Sequence, residues 1–191
     1  MEDAGTLSTE QHARSLDRDD ELALAARTDP AAFGILYERH RLALFRYLRT
    51  RTRTEDEAAE LTAVAFERAF AAMPRYRPAG GGVLAWLLRI ARNAAIDAGR
   101  RAQAVPFDTE LADATGAASP EAAIVERERL AILAAAVDQL PDVQRDALAL
   151  RYGAGLTARE IGAALGKTEH ATQKLISRAL ATLREDYRHD R

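Results

Sequence analysis

Apolar side chains recur every three or four residues through most of this chain, which is the period at which side chains return to one face of an α-helix. The repeat is clear over residues 33–48 and 61–73, and again from residue 130 onward. Alanine supplies much of the 48% hydrophobic content, and the β-branched and aromatic residues that favour sheets are scarce. The 191 residues are enough for one ordinary domain or two small ones. We therefore expect an all-α protein.

Capping residues predict where two helices of the first half begin. Asp29 suits an N-cap and Pro30 suits the first turn of the helix that follows it. Thr54 and Glu57 have the spacing of a capping box, in which each residue satisfies a backbone N–H that the helix leaves free. These signals predict helix starts near residues 30 and 55.

Two stretches without apolar periodicity divide the chain. Residues 1–21 are acidic and polar, and they predict a flexible tail. Residues 102–120 carry two prolines and several small side chains, which is typical of a flexible linker. The sequence therefore predicts two small helical domains, residues 22–101 and 121–188, joined by that linker.

Composition excludes several classes of protein. The chain has no cysteine, which excludes disulfides, thiolate metal sites and a cysteine nucleophile, and which fits a reducing cytoplasm. No apolar run reaches the roughly 18–20 residues that span a bilayer, and the N-terminus does not resemble a secretory signal. The four histidines are scattered, and no nucleophile–base or phosphate-loop motif occurs. We expect a cytoplasmic protein that is not an enzyme, binds no metal or cofactor and does not insert into membranes.

The formal net charge of −2 conceals an uneven distribution of charge. Residues 1–20 are acidic, residues 39–53 are rich in arginine, and the region around residues 108–113 is acidic again. Local basic surfaces favour binding to a polyanion such as nucleic acid. Charged helix faces are also commonly just solvated, so this pattern alone does not establish a binding site.

The second module contains the pattern of a helix-turn-helix. Thr157 and Glu160 have capping-box spacing and predict a short helix. Gly166 stands where a helix needs a left-handed residue after its last turn, and Thr168 can cap the next helix. A short helix, a glycine turn and a capped second helix are typical of this DNA-binding motif. The alternative is an ordinary helical hairpin within a bundle.

The second helix of this pattern has two different faces. On a helical projection its apolar residues fall on one side and its polar and basic residues on the other. A recognition helix needs such an outer face, because hydrogen-bonding side chains contact base edges and cations contact phosphates. Arg159, Lys167 and Arg178 flank it and suit contacts with the DNA backbone. The outer face consists of His170, Gln173, Lys174, Ser177 and Arg184.

A long helix in the first module, predicted from residue 83 to about residue 101, is also two-sided. It follows a glycine-rich loop at residues 78–82. Trp86 lies off its apolar stripe, near Arg89 and Asn93. A tryptophan beside cations suits stacking on unpaired bases while arginines hold phosphates. The alternative is that Trp86 packs against a neighbouring helix.

Sequence motifs in both modules resemble one protein family. Residues 86–101 read WLLRIARNAAIDAGRR, close to the W-L-x-x-I-A-R-N-x-x-x-D-x-x-R-R signature of the extracytoplasmic-function (ECF) sigma factors. Residues 140–152 read LPDVQRDALALRY and residues 156–162 read LTAREIG, and both resemble the C-terminal domain of that family. The resemblance extends over roughly residues 22–188, in the family's order.

The resemblance implies a function in starting transcription. The first module would be sigma region 2, and its long helix with the preceding loop would bind and melt the −10 promoter element. The second module would be sigma region 4, which reads the −35 element in the major groove. The implied partners are the RNA polymerase core enzyme and promoter DNA, and an anti-sigma factor is a further candidate. The family uses no catalytic residue or cofactor of its own.

The resemblance also implies site residues, each at a position that matches a family motif. The −10 element would be bound by Trp86, Arg89, Arg92, Asn93, Asp97, Arg100 and Arg101. The −35 element would be bound by Arg159, Lys167, Thr168, His170, Gln173, Lys174, Ser177 and Arg178. The polymerase core would be bound by Glu60, Leu61, Val64 and Phe66.

The sequence departs from the family pattern in two places. Relatives usually carry an aspartate, then a glutamine and an acidic residue, on the helix that contacts the polymerase clamp. Here Glu60 keeps one charge, but Ala63 and Val64 replace the polar pair. The recognition helix usually begins with a Thr-Val-Lys run, whereas residues 171–174 read ATQK. The alternative function is therefore a sigma-like helix-turn-helix regulator that binds DNA and does not itself support initiation.

Overall fold

The computed structural model describes residues 18–101 and 132–189, and these residues form helices joined by short turns, as expected for an all-α protein. In the first half the helices are α1 (residues 18–25), α2 (Pro30–Arg49), α3 (Glu55–Ala72), a short 3₁₀ turn (Met73–Arg75) and α4 (Gly82–Arg101). In the second half they are α5 (residues 132–139), α6 (Asp142–Leu148) with a π turn (Ala149–Gly153), α7 (Ala158–Leu165) and α8 (Glu169–His189). The predicted linker, residues 102–120, lies outside the described residues.

The predicted helix starts of the first half are confirmed. Asp29 is the N-cap of α2, and its side chain accepts a hydrogen bond from the Ala31 backbone N–H at 2.8 Å. Thr54 is the N-cap of α3 and accepts from the Glu57 N–H at 3.2 Å. The Glu57 carboxylate accepts in turn from the backbone N–H of Arg53 at 2.9 Å, one residue earlier than a capping box predicts.

The described part of the chain is already helical before the predicted end of the tail at residue 21. Residues 18–20 are already helical, and Asp19 is buried at 6% exposure. Its carboxylate pairs with Arg39, and its Oδ2 lies 3.2 Å from Nε2 of His40. These partners on α2 hold α1 in place, so residues 18–21 are helical where the sequence predicts a tail. Residues 1–17 lie outside the described residues.

The Asp19 pair makes stability depend on pH in a definite direction. Burial alone would raise the pKa of Asp19, but contacts with His40 and Arg39 outweigh it and hold this pKa below the ordinary value. A carboxylate with a lowered pKa in the folded state stabilises the fold above its unfolded pKa of about 3.9. That contribution is lost as the pH falls through the lower, folded-state pKa.

We expect Asp19→Asn to lower the free energy of unfolding by about 1–3 kcal/mol at pH 7, because the charged hydrogen bonds to α2 are lost. The difference from the wild type should narrow below about pH 4, as the pH falls towards the lowered folded-state pKa at which the carboxylate becomes protonated. Thermal unfolding followed by circular dichroism between pH 3 and 7 measures both effects. Asp142→Asn is the control, since the Asp142 side chain is 83% exposed. An Asp19→Asn deficit that does not change with pH would contradict this account.

The core of the first half lies between α2, α3 and α4, which pack on one another. Phe66 of α3 is buried at 4% exposure and meets Phe33 and Tyr37 of α2 edge to face, with ring centroids 6.3 and 4.7 Å apart. Leu87 and Leu88 of α4 are fully buried in the same core. This packing holds α4 against the other two helices.

The two predicted modules pack directly on each other. Apolar residues of α6, the π turn and α7 belong to the same buried cluster as the core of α2, α3 and α4. A smaller cluster, in which Leu140, Leu148 and Ala179 are buried, joins α6 to α8. The apolar side of α6 and α7 therefore faces the first half of the chain, an arrangement that the sequence did not predict.

Candidate nucleic-acid interface

The helix-turn-helix of the second half has the predicted local geometry. Glu160 accepts a hydrogen bond from the Thr157 N–H at 2.7 Å, and Thr157 Oγ1 accepts from the Glu160 N–H at 3.4 Å, so the capping box is complete. Gly166 has φ = 67°, in the left-handed region, and ends α7. Thr168 Oγ1 accepts from the Ala171 N–H at 3.2 Å and caps α8.

The turn between α7 and α8 is tightly packed. A Cβ atom built on Gly162 would lie 2.6 Å from the Lys167 carbonyl oxygen and 3.3 Å from Oγ1 of Thr172. Thr172 is fully buried and donates its hydroxyl to the Thr168 carbonyl at 3.0 Å. These contacts fix the angle at which α8 leaves the turn.

The two faces of α8 are confirmed. Ala179 and Thr172 are buried, and Leu175, Ile176 and Leu183 are partly buried on the same side. Every residue predicted to contact the −35 element is exposed, which leaves four cations and several hydrogen-bonding groups in solvent. These exposed residues are Arg159, Lys167, Thr168, His170, Gln173, Lys174, Ser177 and Arg178.

The residues predicted to contact the −10 element lie on α4 in different environments. Arg89 and Asn93 are exposed. Asp97 pairs with Arg68 of α3 at 2.9 Å, so it also ties α4 to α3. The Arg92 side chain is only 27% exposed, and its Nε donates to Oδ2 of Asp146 at 2.7 Å. The structure does not describe the side chains of Arg100 and Arg101.

The environment of Trp86 fits part of each interpretation that the sequence left open, stacking on bases and packing within the fold. Its ring is partly buried and packs against the core, with its centroid 5.0 Å from that of Tyr76 in an edge-to-face contact. The Tyr76 hydroxyl donates to Asp20 Oδ1 at 2.6 Å. Trp86 therefore contacts neighbouring residues of the fold and still keeps part of its surface in solvent.

Phe66 does not have the place predicted for a polymerase contact. Its ring is buried between Phe33 and Tyr37 and has almost no surface that a partner could contact, so the polymerase role of Phe66 stays a prediction that the packing does not favour. The reason is the helical period: one turn of α3 brings Thr62 and Phe66 to the inside. Glu60 is exposed, whereas Leu61 and Val64 are partly buried.

Sequence reasoning missed a buried charge cluster next to the −10 residues. Asp146 of α6 is fully buried and contacts Tyr47, Arg51 and Arg92, which stand 54–99 residues earlier in the chain. One sequence signal was available. Asp146 falls on the same stripe of its helix as Ala147 and Leu150, where a charged residue requires a partner.

Known protein families match both predicted modules. The Sigma-70 region 2 family matches residues 36–105, and the Sigma-70 region 4 family matches residues 136–185. The ECF RNA polymerase sigma factor SigD of Mycobacterium bovis is 34% identical over 172 residues, which are 86% of this chain and 81% of SigD. The chain belongs to the ECF family of RNA polymerase sigma factors.

Further members of the ECF family show the same relationship. The ECF sigma factor BldN of Streptomyces coelicolor is 33% identical over 166 residues, and the match covers 85% of this chain but only 62% of BldN. The structure of CnrH in complex with the cytosolic domain of CnrY has a TM-score of 0.68 at 26% identity and covers 91% of this chain and 99% of CnrH. RpoE of Bartonella quintana, solved with the anti-sigma factor NepR, has a TM-score of 0.63 at 22% identity, over 83% of this chain and 98% of RpoE.

Within residues 18–101 and 132–189, no group of three or more histidine, aspartate or glutamate side chains is placed to hold a metal ion. Over the same residues, no helix has the length and apolar character needed to cross a bilayer.

Proposed function

We propose that this ECF sigma factor reads the −35 element with α8 and holds the melted −10 element with α4. The observation that carries the proposal is the exposed polar and basic face of α8, on a helix-turn-helix whose caps and turn are all in place. We assign residues 22–101, together with the earlier residues of α1, to region 2. We assign residues 121–188 to region 4. We place the protein in the cytoplasm, where RNA polymerase acts.

Two kinds of side chain on α8 support reading of duplex DNA. Gln173 is exposed near the N-terminus of the helix and offers an amide that can pair with an adenine edge. Lys174 and Arg178 are exposed on the same helix and suit phosphate contacts, as do Arg159 and Lys167 before the helix. The first kind of contact gives specificity, and the second gives affinity that weakens with salt.

The exposed face of α4 suits single-stranded DNA. Arg89 and Asn93 are in solvent, and the free part of the Trp86 ring lies one turn earlier on the same helix. Stacking on an aromatic ring holds an unpaired base, and neighbouring cations hold its phosphates. This role requires no catalytic group, and we propose that the protein has no enzymatic activity of its own.

We propose that α3 contributes to binding of the polymerase core through Glu60, Leu61 and Val64, without Phe66. Glu60 is exposed, and Leu61 and Val64 keep part of their surface accessible. An anti-sigma factor stays a predicted partner.

Transcription reconstituted from purified core polymerase tests the function. The full chain should direct core enzyme to a promoter selected by mapping transcripts after overexpression, and it should open the DNA there. A chain that binds promoter duplex but gives no transcript with core enzyme would instead support the alternative of a DNA-binding regulator.

Substitutions on α8 should separate affinity from specificity. We expect Lys174→Gln to weaken binding of the full chain to all duplexes and to reduce the salt slope by about one phosphate contact. Gln173→Ala should change base preference, by about 1–3 kcal/mol at the base it reads. Fluorescence anisotropy with a −35 duplex and its single-base variants measures both. Arg75→Gln, at an exposed arginine outside the arginine-rich stretch 39–53, is the control. Equal losses for both α8 variants on every duplex would exclude base reading by this face.

A further inference from the structure

Two hydrogen bonds connect the region of α1 to the segment that joins α3 to α4. The Tyr76 hydroxyl donates to Oδ1 of Asp20, in α1, at 2.6 Å. Nε of Arg27, just after α1, donates to the Pro74 carbonyl oxygen at 3.2 Å. These partners stand 56 and 47 positions apart in the chain. The segment of residues 74–76 is therefore held in place by side chains at and just after α1.

Tyr76 contacts Trp86 as well as Asp20. Its ring is buried at 2% exposure, and its centroid lies 5.0 Å from that of Trp86, with the two ring planes at 65°. Burial and the hydrogen bond to Asp20 raise the pKa of Tyr76, so its hydroxyl stays protonated and able to donate. A buried tyrosine hydroxyl needs such an acceptor, because it has given up its hydrogen bonds to water. Asp20 therefore fixes the hydroxyl end of a ring that packs against Trp86.

The hydrogen bond from Tyr76 is not the main contact that holds α1 in the fold. Asp19 is buried and pairs with side chains of α2, and Ala23 and Ala26 are buried in the core. These contacts anchor α1 on their own. Asp20 therefore presents Tyr76 with an acceptor whose place is already set by the rest of the helix.

The orientation of Trp86 matters because its free surface lies on the same side of α4 as two exposed polar residues. Arg89 and Asn93 follow it by about one and two helical turns. A base can stack on the ring while Arg89 meets a phosphate only if the ring is held in a defined position relative to the arginine. A ring that is already held also loses less conformational entropy when a base stacks on it.

We propose that Asp20 is a positioning residue for the −10 interface, where it acts through the Tyr76 hydroxyl to hold the Trp86 ring in the orientation that receives an unpaired base. This inference rests on the proposed function for the role of Trp86 in the melted −10 element. It extends that function to α1, which has no DNA contact in the proposed function. The environment of the ring can be measured without DNA.

Tryptophan fluorescence of the full chain tests the positioning. The sequence has one tryptophan, so emission excited at the long-wavelength edge, where tyrosine does not absorb, comes from Trp86 alone. We expect Asp20→Ala and Tyr76→Phe each to shift this emission to longer wavelength and to increase its quenching by acrylamide. Both variants remove the same hydrogen bond, and Tyr76→Phe keeps the aromatic ring, so the expected change reports a less firmly held Trp86.

Controls of the same chemistry should leave the emission unchanged. Glu21→Ala removes an exposed carboxylate beside Asp20, and Tyr152→Phe removes the hydroxyl of a tyrosine that is 67% exposed. Asp20→Asn keeps an oxygen that can accept from the Tyr76 hydroxyl, so it should restore most of the wild-type emission.

A double variant tests whether the two residues act through one contact. Asp20→Ala combined with Tyr76→Phe should change the emission no more than either change alone, since each already removes the shared hydrogen bond. Circular dichroism confirms that each variant is folded, and Tyr76→Phe decides the matter if Asp20→Ala does not fold. Wild-type emission in the folded single variants, or additive changes in the double variant, would overturn the proposal.

Promoter opening with core polymerase tests the consequence for the −10 element. We expect Asp20→Ala and Tyr76→Phe to reduce the amount of open complex by about threefold to tenfold in permanganate footprinting, the range that follows from loss of one hydrogen bond. Binding to a −35 duplex should stay at the wild-type level, because α8 is unchanged. A parallel loss of opening, −35 binding and thermal stability would show that the hydrogen bond serves the fold as a whole and would overturn the proposal.

Failure of this proposal differs from failure of the proposed function. If the wild-type chain opens no promoter, the proposed function fails and the role of Asp20 at the −10 element fails with it, while the emission still reports whether Asp20 holds the Trp86 ring. If the wild type opens the promoter and Asp20→Ala changes the emission without reducing opening, the proposed function stands and the positioning role is overturned.

Discussion

Phe66→Ala should lower the free energy of unfolding by about 3–5 kcal/mol, the usual cost of removing a buried aromatic ring from a core. The ring fills the space between α2 and α3, where it meets Phe33 and Tyr37 edge to face. Its removal leaves a cavity that two packed helices cannot readily close, and it also removes both aromatic contacts. Urea unfolding followed by circular dichroism measures the loss.

Phe70→Ala is a matched control for this prediction. Phe70 lies one turn later on α3, and its ring centroid is 5.0 Å from that of Phe33, but the residue is 50% exposed. Its truncation should cost only about 0.5–1.5 kcal/mol, the value of one aromatic pair. A Phe66→Ala protein with wild-type stability that fails to bind core polymerase would restore the sequence-based assignment of Phe66 to the polymerase interface.

Trp86→Ala should reduce the amount of open promoter complex by roughly tenfold to a hundredfold, because loss of one base-stacking contact costs about 1–3 kcal/mol. The fold should lose less, about 0.5–1.5 kcal/mol for the edge-to-face pair with Tyr76, since only part of the ring is buried. Permanganate footprinting of the −10 region measures opening, and thermal unfolding measures stability.

Tyr76→Ala distinguishes the two roles of this aromatic pair. Tyr76 is 2% exposed, so its truncation should destabilise the fold strongly and impair every activity together. Trp86→Ala should instead impair opening far more than binding to a −35 duplex. If the Trp86 and Tyr76 variants lose stability and all activities to the same degree, then Trp86 serves packing alone.

Features set by neighbouring residues could be predicted from the sequence. The cap at Asp29, the capping box at Thr157 and Glu160 and the left-handed Gly166 each depend on a few consecutive residues, and the structure confirms them. The exposed face of α8 could likewise be predicted, because its apolar residues recur at the helical period and mark the buried side. Since these interactions are local, a single sequence contains the information that specifies them.

Features set by distant residues could not be predicted in the same way. Trp86 lies off the apolar stripe of α4, yet Tyr76 covers part of it. Asp146 finds its partners on α2 and α4, and no spacing in the sequence indicates that pairing. The early start of α1 likewise depends on the contact of Asp19 with α2. In each case the deciding contact is tertiary, and helical periodicity describes one helix at a time.

The close fit at Gly162 bears on how promoter preference can change. The buried Thr172 and the turn around Lys167 set the direction of α8, and neither depends on the side chains that point outward. Outer residues such as Gln173 and Ser177 can therefore be exchanged for those of another recognition helix while Gly162 and Thr172 are retained. The motif separates the residues that orient α8 from those that we propose read the DNA. A chimaera that transplants only the outer face should therefore acquire the donor's −35 preference while the fold of the domain stays unchanged.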